Sequence, residues 1–451
     1  MKLKLKVTFA ALCLLVLNMA NAQEVPMTTD SLMVTDSLNV VENQEEADTL
    51  VSAIQKLQSE VLSLQKLKIT GYVQAQYQVA DTAGITSFDG GNFGPNVKSR
   101  FSVRRARLKF TYNGNSYSKF VMQFDVRETG VTIRDAYAQF TAPFSDALSL
   151  TAGMFDRPFG FAISYSSNLR EAPERPRIFQ TLFPNERDLG AKLTIQGAKT
   201  STWNFLKIDF GFFNGNNLSL ETDSKQDFIG HIGINKANKN ESFKYGIGIS
   251  YYNGGVLQTN DNILSVRTNS NIPEFVANAV PSVGAFKNKY ALREYMGGDA
   301  QFTVSSGLGF TTIQGEYIKG NQPGFLSATN AGNVSPSGAV APGDTYLRKL
   351  NGGYISLVQD FIKVPISLIA RYDWYDPNSK VAGDQIQSTN KFSGADIKYT
   401  TSGFGLLYKL DEHIKLTGYY DVVRNETTSK LAGFYKDLND NVITLRVQYK
   451  F

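Results

Sequence analysis

The last ten residues of the chain, VITLRVQYKF from Val442 to Phe451, place apolar side chains at every second position: Ile443, Leu445, Val447, Tyr449 and Phe451. Thr444, Arg446, Gln448 and Lys450 stand between them. A period of two sends one set to one face of a strand and the other set to the opposite face. Soluble sheets also alternate, so this strand decides the fold only if the pattern recurs along the chain.

It recurs from residue 69 onward. In ITGYVQAQYQV, Ile69, Val73, Ala75, Tyr77 and Val79 alternate with Thr70, Gln74, Gln76 and Gln78. Ala106, Leu108, Phe110 and Tyr112 alternate with Arg105, Arg107 and Lys109, and Phe120, Met122, Phe124 and Val126 with Gln123, Asp125 and Arg127. Leu206, Ile208, Phe210 and Phe212 oppose Lys207 and Asp209; Ile366, Leu368, Ala370 and Trp374 oppose Ser367, Arg371 and Asp373. The expected strands therefore have one continuously apolar face and one continuously polar or charged face.

Sixteen segments of this kind are expected, near residues 69–80, 99–113, 117–128, 131–142, 146–157, 188–197, 203–214, 227–235, 242–252, 291–305, 308–320, 350–360, 363–376, 396–410, 413–425 and 441–451. Long connections (158–187, 253–290, 321–349, 377–395, 426–440) alternate with short ones such as 143–145, 306–307 and 411–412. An even number of strands about ten residues long, with short turns at one rim and long loops at the other, is the layout of a bacterial outer-membrane barrel. The fold class expected is thus all-β, a 16-stranded antiparallel transmembrane β-barrel over residues 69–451.

Composition agrees. The chain holds 22 Tyr, 30 Phe and 38 Gly, with only 14 Pro and 2 Trp. A mean hydropathy of -0.22 does not speak against a membrane protein, because alternation hides the apolar band of a barrel. A soluble sandwich or propeller would need no export signal, yet residues 1–22 carry Lys2, Lys4 and Lys6, an apolar run from Val7 to Leu17, and small residues Ala20 and Ala22. This is the layout of a cleavable secretory signal peptide. Cys13, the single cysteine, lies inside it, so no disulfide or cysteine metal site is expected in the mature chain. Residues 23–48 are acidic, polar and free of aromatics, and read as a flexible periplasmic tail. Across 49–68, Leu50, Ile54, Leu57, Val61 and Leu64 fall at heptad spacing, which predicts a short periplasmic helix or coiled-coil segment.

The net charge of +5 becomes a modest cationic excess in residues 69–451, because 23–68 is acidic. That excess is too dispersed for a nucleic-acid surface. His231 and His413 are the only histidines, and neither stands in a metal-ligand or nucleophile spacing. No cofactor, metal site or enzymatic activity is expected.

A barrel of this size has an interior too wide for ordinary side chains to fill, so it holds water unless a loop enters. The third outer loop is the candidate. Between TAGMFDRPFG at Thr151–Gly160 and RDLGAKL at Arg187–Leu193 lie about thirty residues without strand pattern, crowded with Arg170, Glu171, Glu174, Arg175 and Arg177 among Pro173, Pro176 and Pro184. Glu171 and Glu174 interrupt the arginines, in position to form ion pairs that fix the loop's shape.

Gly153–Gly160, the charged loop and RDLGAKL, together with RRARLKF at Arg104–Phe110, IRDAYAQF at Ile133–Phe140 and ARYDWYDP at Ala370–Pro377, resemble the phosphate-selective porin O and P family of Gram-negative bacteria. The resemblance extends over roughly residues 69–451. It implies a homotrimeric porin of the outer membrane, surrounded by lipid, whose third external loop constricts a channel for small anionic solutes. The terminal Phe451 resembles the signal read by the barrel assembly machinery.

The expected constriction residues are Arg170, Glu171, Glu174, Arg175, Arg177 and Arg187. The expected lumen-lining cations are Arg105, Arg107, Lys109, Arg127, Lys207, Arg293 and Arg371, joined on parity by Lys244, Lys415, Arg446 and Lys450. Their excess over inward acids predicts a mildly anion-preferring channel rather than a dedicated phosphate trap. The alternative is a structural or adhesin-type barrel that binds partners through its long loops.

Overall fold

The computed structural model describes residues 51–58, 66–86, 92–198, 200–258, 262–278, 289–326, 340–341 and 344–451. The signal and tail over residues 1–48 lie outside them. Two units are present, one ending at Leu62 and the other running from Ser63 to Phe451. In the first, residues 51–58 are helical, with Ile54 and Leu57 exposed; Leu50, Val61 and Leu64 of the heptad series lie outside the described residues.

The second unit is a closed barrel. Its wall consists of β1 (Leu67–Ala80), β2 (Ser99–Asn115), β3 (Ser118–Arg127), β4 (Gly130–Ala142), β5 (Ser145–Asp156), β6 (Arg187–Gln196), β7 (Leu206–Phe213), β8 (Asp227–Ala237) and β9 (Phe243–Gln258). It is completed by β12 (Tyr290–Ser306), β13 (Gly309–Gly324), β15 (Thr345–Phe361), β16 (Ile366–Asp376), β17 (Tyr399–Lys409), β18 (Ile414–Asn425) and β19 (Val442–Lys450). The remaining strands, β10 (Ile263–Asn269), β11 (Ile272–Ala277) and β14 (Val340–Ala341), belong to outer loops, since β9 pairs directly with β12 and β13 with β15. Sixteen antiparallel strands thus form the wall. It closes where β1 meets β19, from Tyr72 opposite Lys450 to Ala80 opposite Val442. Closure leaves no wall strand with unpaired edge amides, which a hydrocarbon surrounding requires.

The C-terminal strand shows the pattern at work. Ile443, Leu445, Val447 and Tyr449 are exposed on the outside, while Thr444, Arg446 and Gln448 are buried inside. The terminal Phe451 exchanges backbone hydrogen bonds with Gly71, its N–H donating to Gly71 O at 3.0 Å. A Cβ at Gly71 would lie 2.5 Å from the Phe451 ring.

Two expectations need correction. Outer connections are not uniformly long, for β3 and β4 are joined by the tight turn Glu128–Thr129. Nor is the inner face charged throughout. Tyr252, Tyr295, Tyr354 and Tyr375 point inward and are buried, together with Ile229 and Ile318. They do so because residues 157–186 bring Phe159, Ile178, Phe179 and Phe183 to meet them, making one apolar core inside the wall. Ring pairs join the two sets, with centroids 6.1 Å apart for Phe179 and Tyr354 and 5.8 Å for Phe183 and Tyr295.

The outer loops extend this core. The β10–β11 hairpin places Phe275 between Phe392 and Tyr346, each with ring centroids 5.0 Å away. Beneath it, Arg348 Nε donates to Asp396 Oδ1 at 2.8 Å, both side chains fully buried.

Candidate functional site

The connection from β5 to β6 begins as a turn and ends as a short helix, Arg177–Leu182, set between prolines. Pro176 has φ −56°, ready for a first helical turn, and the helix stops at Phe183 before Pro184. The return to β6 passes through Asn185 and Glu186, both left-handed at φ 62° and 63°. A glutamate there is strained by about 1–3 kcal/mol unless its surroundings hold it. Here they do: its carboxylate is paired with Arg134, Arg175 and Arg187.

Residues 157–186 cross the interior, since they hydrogen-bond to strands all around the wall. At the turn, Gly160 N–H donates to Ser250 Oγ on β9 at 2.8 Å. The next two amides, of Phe161 and Ala162, donate to the Glu316 carboxylate on β13, which also accepts from Tyr354 on β15 at 3.0 Å. Gly160 has φ 63°, and a Cβ there would meet Glu316 Oε2 at 2.1 Å, so this clamp requires glycine. On the opposite wall, Ser167 O accepts from Gln74 on β1 at 2.9 Å, and Ser167 Oγ accepts from Arg107 on β2 at 3.1 Å. Asn168 O accepts from Lys415 on β18 and Gln448 on β19, each at 3.0 Å.

Glu174 is the hub. Arg104 grips it with two bonds of 2.8 Å, Arg105 donates at 2.9 Å and Arg446 at 2.8 Å, while Arg371 donates to its backbone carbonyl at 2.6 Å. Its partners are therefore wall arginines, not the neighbouring loop arginines that sequence spacing suggested. Burial alone would raise this carboxyl, but Arg104, Arg105 and Arg446 outweigh it and hold it well below the usual carboxylate range. Glu171 instead accepts from Tyr165 OH at 2.7 Å. Arg175 turns back on its own loop, donating to Ala162 O at 2.7 Å and Ile163 O at 3.0 Å. Arg177 lies over the Tyr399 ring at 4.3 Å. Arg170 is only 8% exposed, and Arg187 joins Asp135 at 3.0 Å.

The wall cations divide into two groups. Arg105, Arg371 and Arg446 clasp the loop, and Arg293 is fixed by Asp227 at 3.2 Å. Lys109 has no ion-pair partner among the described residues, Arg127 stands 3.8 Å from Asp125, and Lys207 pairs with Asp209 at 2.9 Å.

Period-two reasoning missed Arg104 and Arg134. Each sits at a β-bulge: Gln74 and Ala75 pair with Arg105 and Val103, and Gln123 and Phe124 with Asp135 and Ile133, so Arg104 and Arg134 are extra residues. The bulges turn both side chains inward, Arg104 to Glu174 and Arg134 to Glu186. The doublets Arg104-Arg105 and Arg134-Asp135 were the available signal. In a regular strand one member of each would face lipid, at about 2–4 kcal/mol for an arginine at mid-membrane.

A closed wall with an apolar outside, a polar and partly aromatic inside, and an inward-folded third outer connection defines a porin-type barrel of the outer membrane. Residues 67–227 match the family model described as phosphate-selective porin O and P. Among solved structures, the chain is similar to OprB of Pseudomonas putida (TM-score 0.55, 10% identity, covering 87% of this chain and 96% of that one). It is also similar to OmpF of Salmonella typhi in complex with daunomycin (0.51, 12%, 85% and 97%) and to the outer-membrane channel DcaP of Acinetobacter baumannii (0.50, 12%, 85% and 97%). At these identities the likeness is one of fold. No curated protein matches the chain.

Proposed function

We propose that the protein is a passive diffusion channel for small hydrophilic solutes, narrowed by residues 157–186 and mildly preferring anions. The observation that carries the preference is the inner wall near the short-turn rim. Lys119 lies near both Lys109 and Lys192 there, and neither Lys109 nor Lys119 has an ion-pair partner among the described residues. Lys192 and Lys207 share a single carboxylate, Asp209, at 3.5 and 2.9 Å. Low-dielectric walls focus the field of such an excess, attracting anions and opposing cations. The arginines bound to Glu174 and Glu186 number three each, so they add to this excess rather than cancel it. The homotrimer implied by the family resemblance belongs to the same reading and is checked by the mass of the detergent-solubilised protein.

Planar-bilayer recording under a potassium chloride gradient tests the proposal. The expected reversal potential has the sign of chloride preference, and K109A/K119A moves it toward zero. A cation-selective potential overturns the preference. Absence of any stable conductance overturns the channel and favours the adhesin-type barrel.

A further inference from the structure

Resting on that channel reading, we infer that solutes pass along one side of the lumen, over a glycine-floored stretch of β8 and β9, where Lys207, Asp209, His231 and Asp299 determine selectivity. The inward positions of these two strands include Gly233, Gly246 and Gly248, three neighbours without side chains. Glycine weakens a strand interior, so its repetition on one face calls for a reason in the space it leaves. That space is occupied by polar groups at close quarters. A Cβ at Gly248 would come within 2.3 Å of His231 Nε2 and 2.5 Å of Asp299 Oδ2, and one at Gly246 within 2.5 Å of Asn235 Oδ1 and 2.6 Å of Gln301 Oε1.

Over this floor lies a cavity of about 140 Å³, roofed by Gly160, Phe161 and Ser164 where the inward connection begins. Lys192 and Lys207 at its edge also line a second hollow of about 440 Å³, which runs past Thr151 and Thr194 to Ala147 and Gly197 at the short-turn rim. The two hollows thus share Lys192 and Lys207 as walls, and their joining into one route past these side chains is part of the inference. Elsewhere residues 157–186 are bonded against β1, β2, β13, β16, β18 and β19, and Arg170 is nearly sealed.

The route's charges are paired across neighbouring strands. Lys207 Nζ meets Asp209 Oδ2 at 2.9 Å, Asp209 stands in register with His231, and His231 Nε2 meets Asp299 Oδ2 at 3.0 Å, with Gln301 donating to the other oxygen at 3.0 Å. A solute moving here exchanges its hydration for donors and acceptors of both signs. Removing the two acids leaves Lys192 and Lys207 unopposed, so D209N/D299N should strengthen anion preference.

Cysteine accessibility in planar bilayers tests the route, with Cys13→Ser excluding a thiol from any uncleaved signal segment. Asn235→Cys and Gln301→Cys, each treated with a cationic methanethiosulfonate, should lose conductance severalfold, while Arg170→Cys should keep its current. Currents of the first two that are unchanged, whether or not mass spectrometry shows labelling, overturn the inference, as does loss of current at Arg170→Cys alone. Gly248→Leu should cut conductance severalfold, whereas Gly230→Leu, facing outward on the same strands, should not; equal conductance of the two variants also overturns it. A wild-type protein without conductance instead overturns the channel reading on which the route depends.

Discussion

At the scale of single residues, the interior is organised by two glutamates. Glu174 and Glu186 are each held by three arginines, and each set of three includes one arginine delivered by a bulge. Removing one partner of a buried ion pair is costly because the other charge stays desolvated, at about 3–5 kcal/mol. Glu174→Gln should therefore lower the free energy of local opening of residues 161–183 by about that amount, read as faster amide hydrogen exchange in this segment with the wall strands unaffected. The same measurement carries a pH dependence. A carboxyl held below its usual value stabilises the folded form fully above the ordinary carboxylate range and loses that contribution only as pH falls through the depressed value. The difference in opening free energy between wild type and Glu174→Gln should thus be level between pH 7 and about 5. Unchanged exchange in the variant would show that Glu174 does not anchor the connection.

Elements divide by how local their cause is. The wall strands were legible because a period of two is imposed on each one separately by lipid outside and polar groups inside, as in Val442–Lys450. The β10–β11 hairpin was not, since Ile263–Ser265 pairs with the outer end of β15 at Thr345–Leu347 and Phe275 packs on Phe392 of another loop, contacts that the period of two along a wall strand does not encode. Aromatics on both parities of β12 and β16 likewise hid the inward core, for Tyr295 and Tyr375 turn inward only because Phe183 and its neighbours arrive from elsewhere in the chain. In the candidate site, inward cations such as Arg105 followed from parity, whereas Arg104 required a bulge and the partners of Glu174 required the closed barrel. The hairpin also carries a prediction. Phe275 is fully buried between Phe392 and Tyr346, so Phe275→Ala should cost the outer-loop core about 3–5 kcal/mol. Protease cleavage within 263–277 and 377–398 should accelerate, while the wall fragments remain intact; cleavage at the wild-type rate would mean that this core does not hold the loops.

For the whole molecule, wall and interior are separable, because every wall strand pairs with both neighbours through its own backbone and the wall closes without help from residues 157–186. Replacing residues 161–184 by a short glycine-serine linker should therefore leave a barrel that inserts and resists unfolding by detergent at room temperature. Its electrical behaviour should change in two ways at once. Conductance should rise severalfold, since the excised segment spans the lumen from Glu316 on β13 to Gln448 on β19. Selectivity should shift further toward anions, because the excised Arg170, Glu171, Glu174, Arg175 and Arg177 together carry only one net positive charge, while Arg104, Arg105 and Arg446 are left facing water without their shared carboxylate. Both changes are read in one bilayer experiment from single-channel amplitude and reversal potential. A larger conductance with unchanged selectivity would mean that the wall lysines near the short-turn rim dominate the field, and an unchanged conductance would mean that the segment does not limit flow.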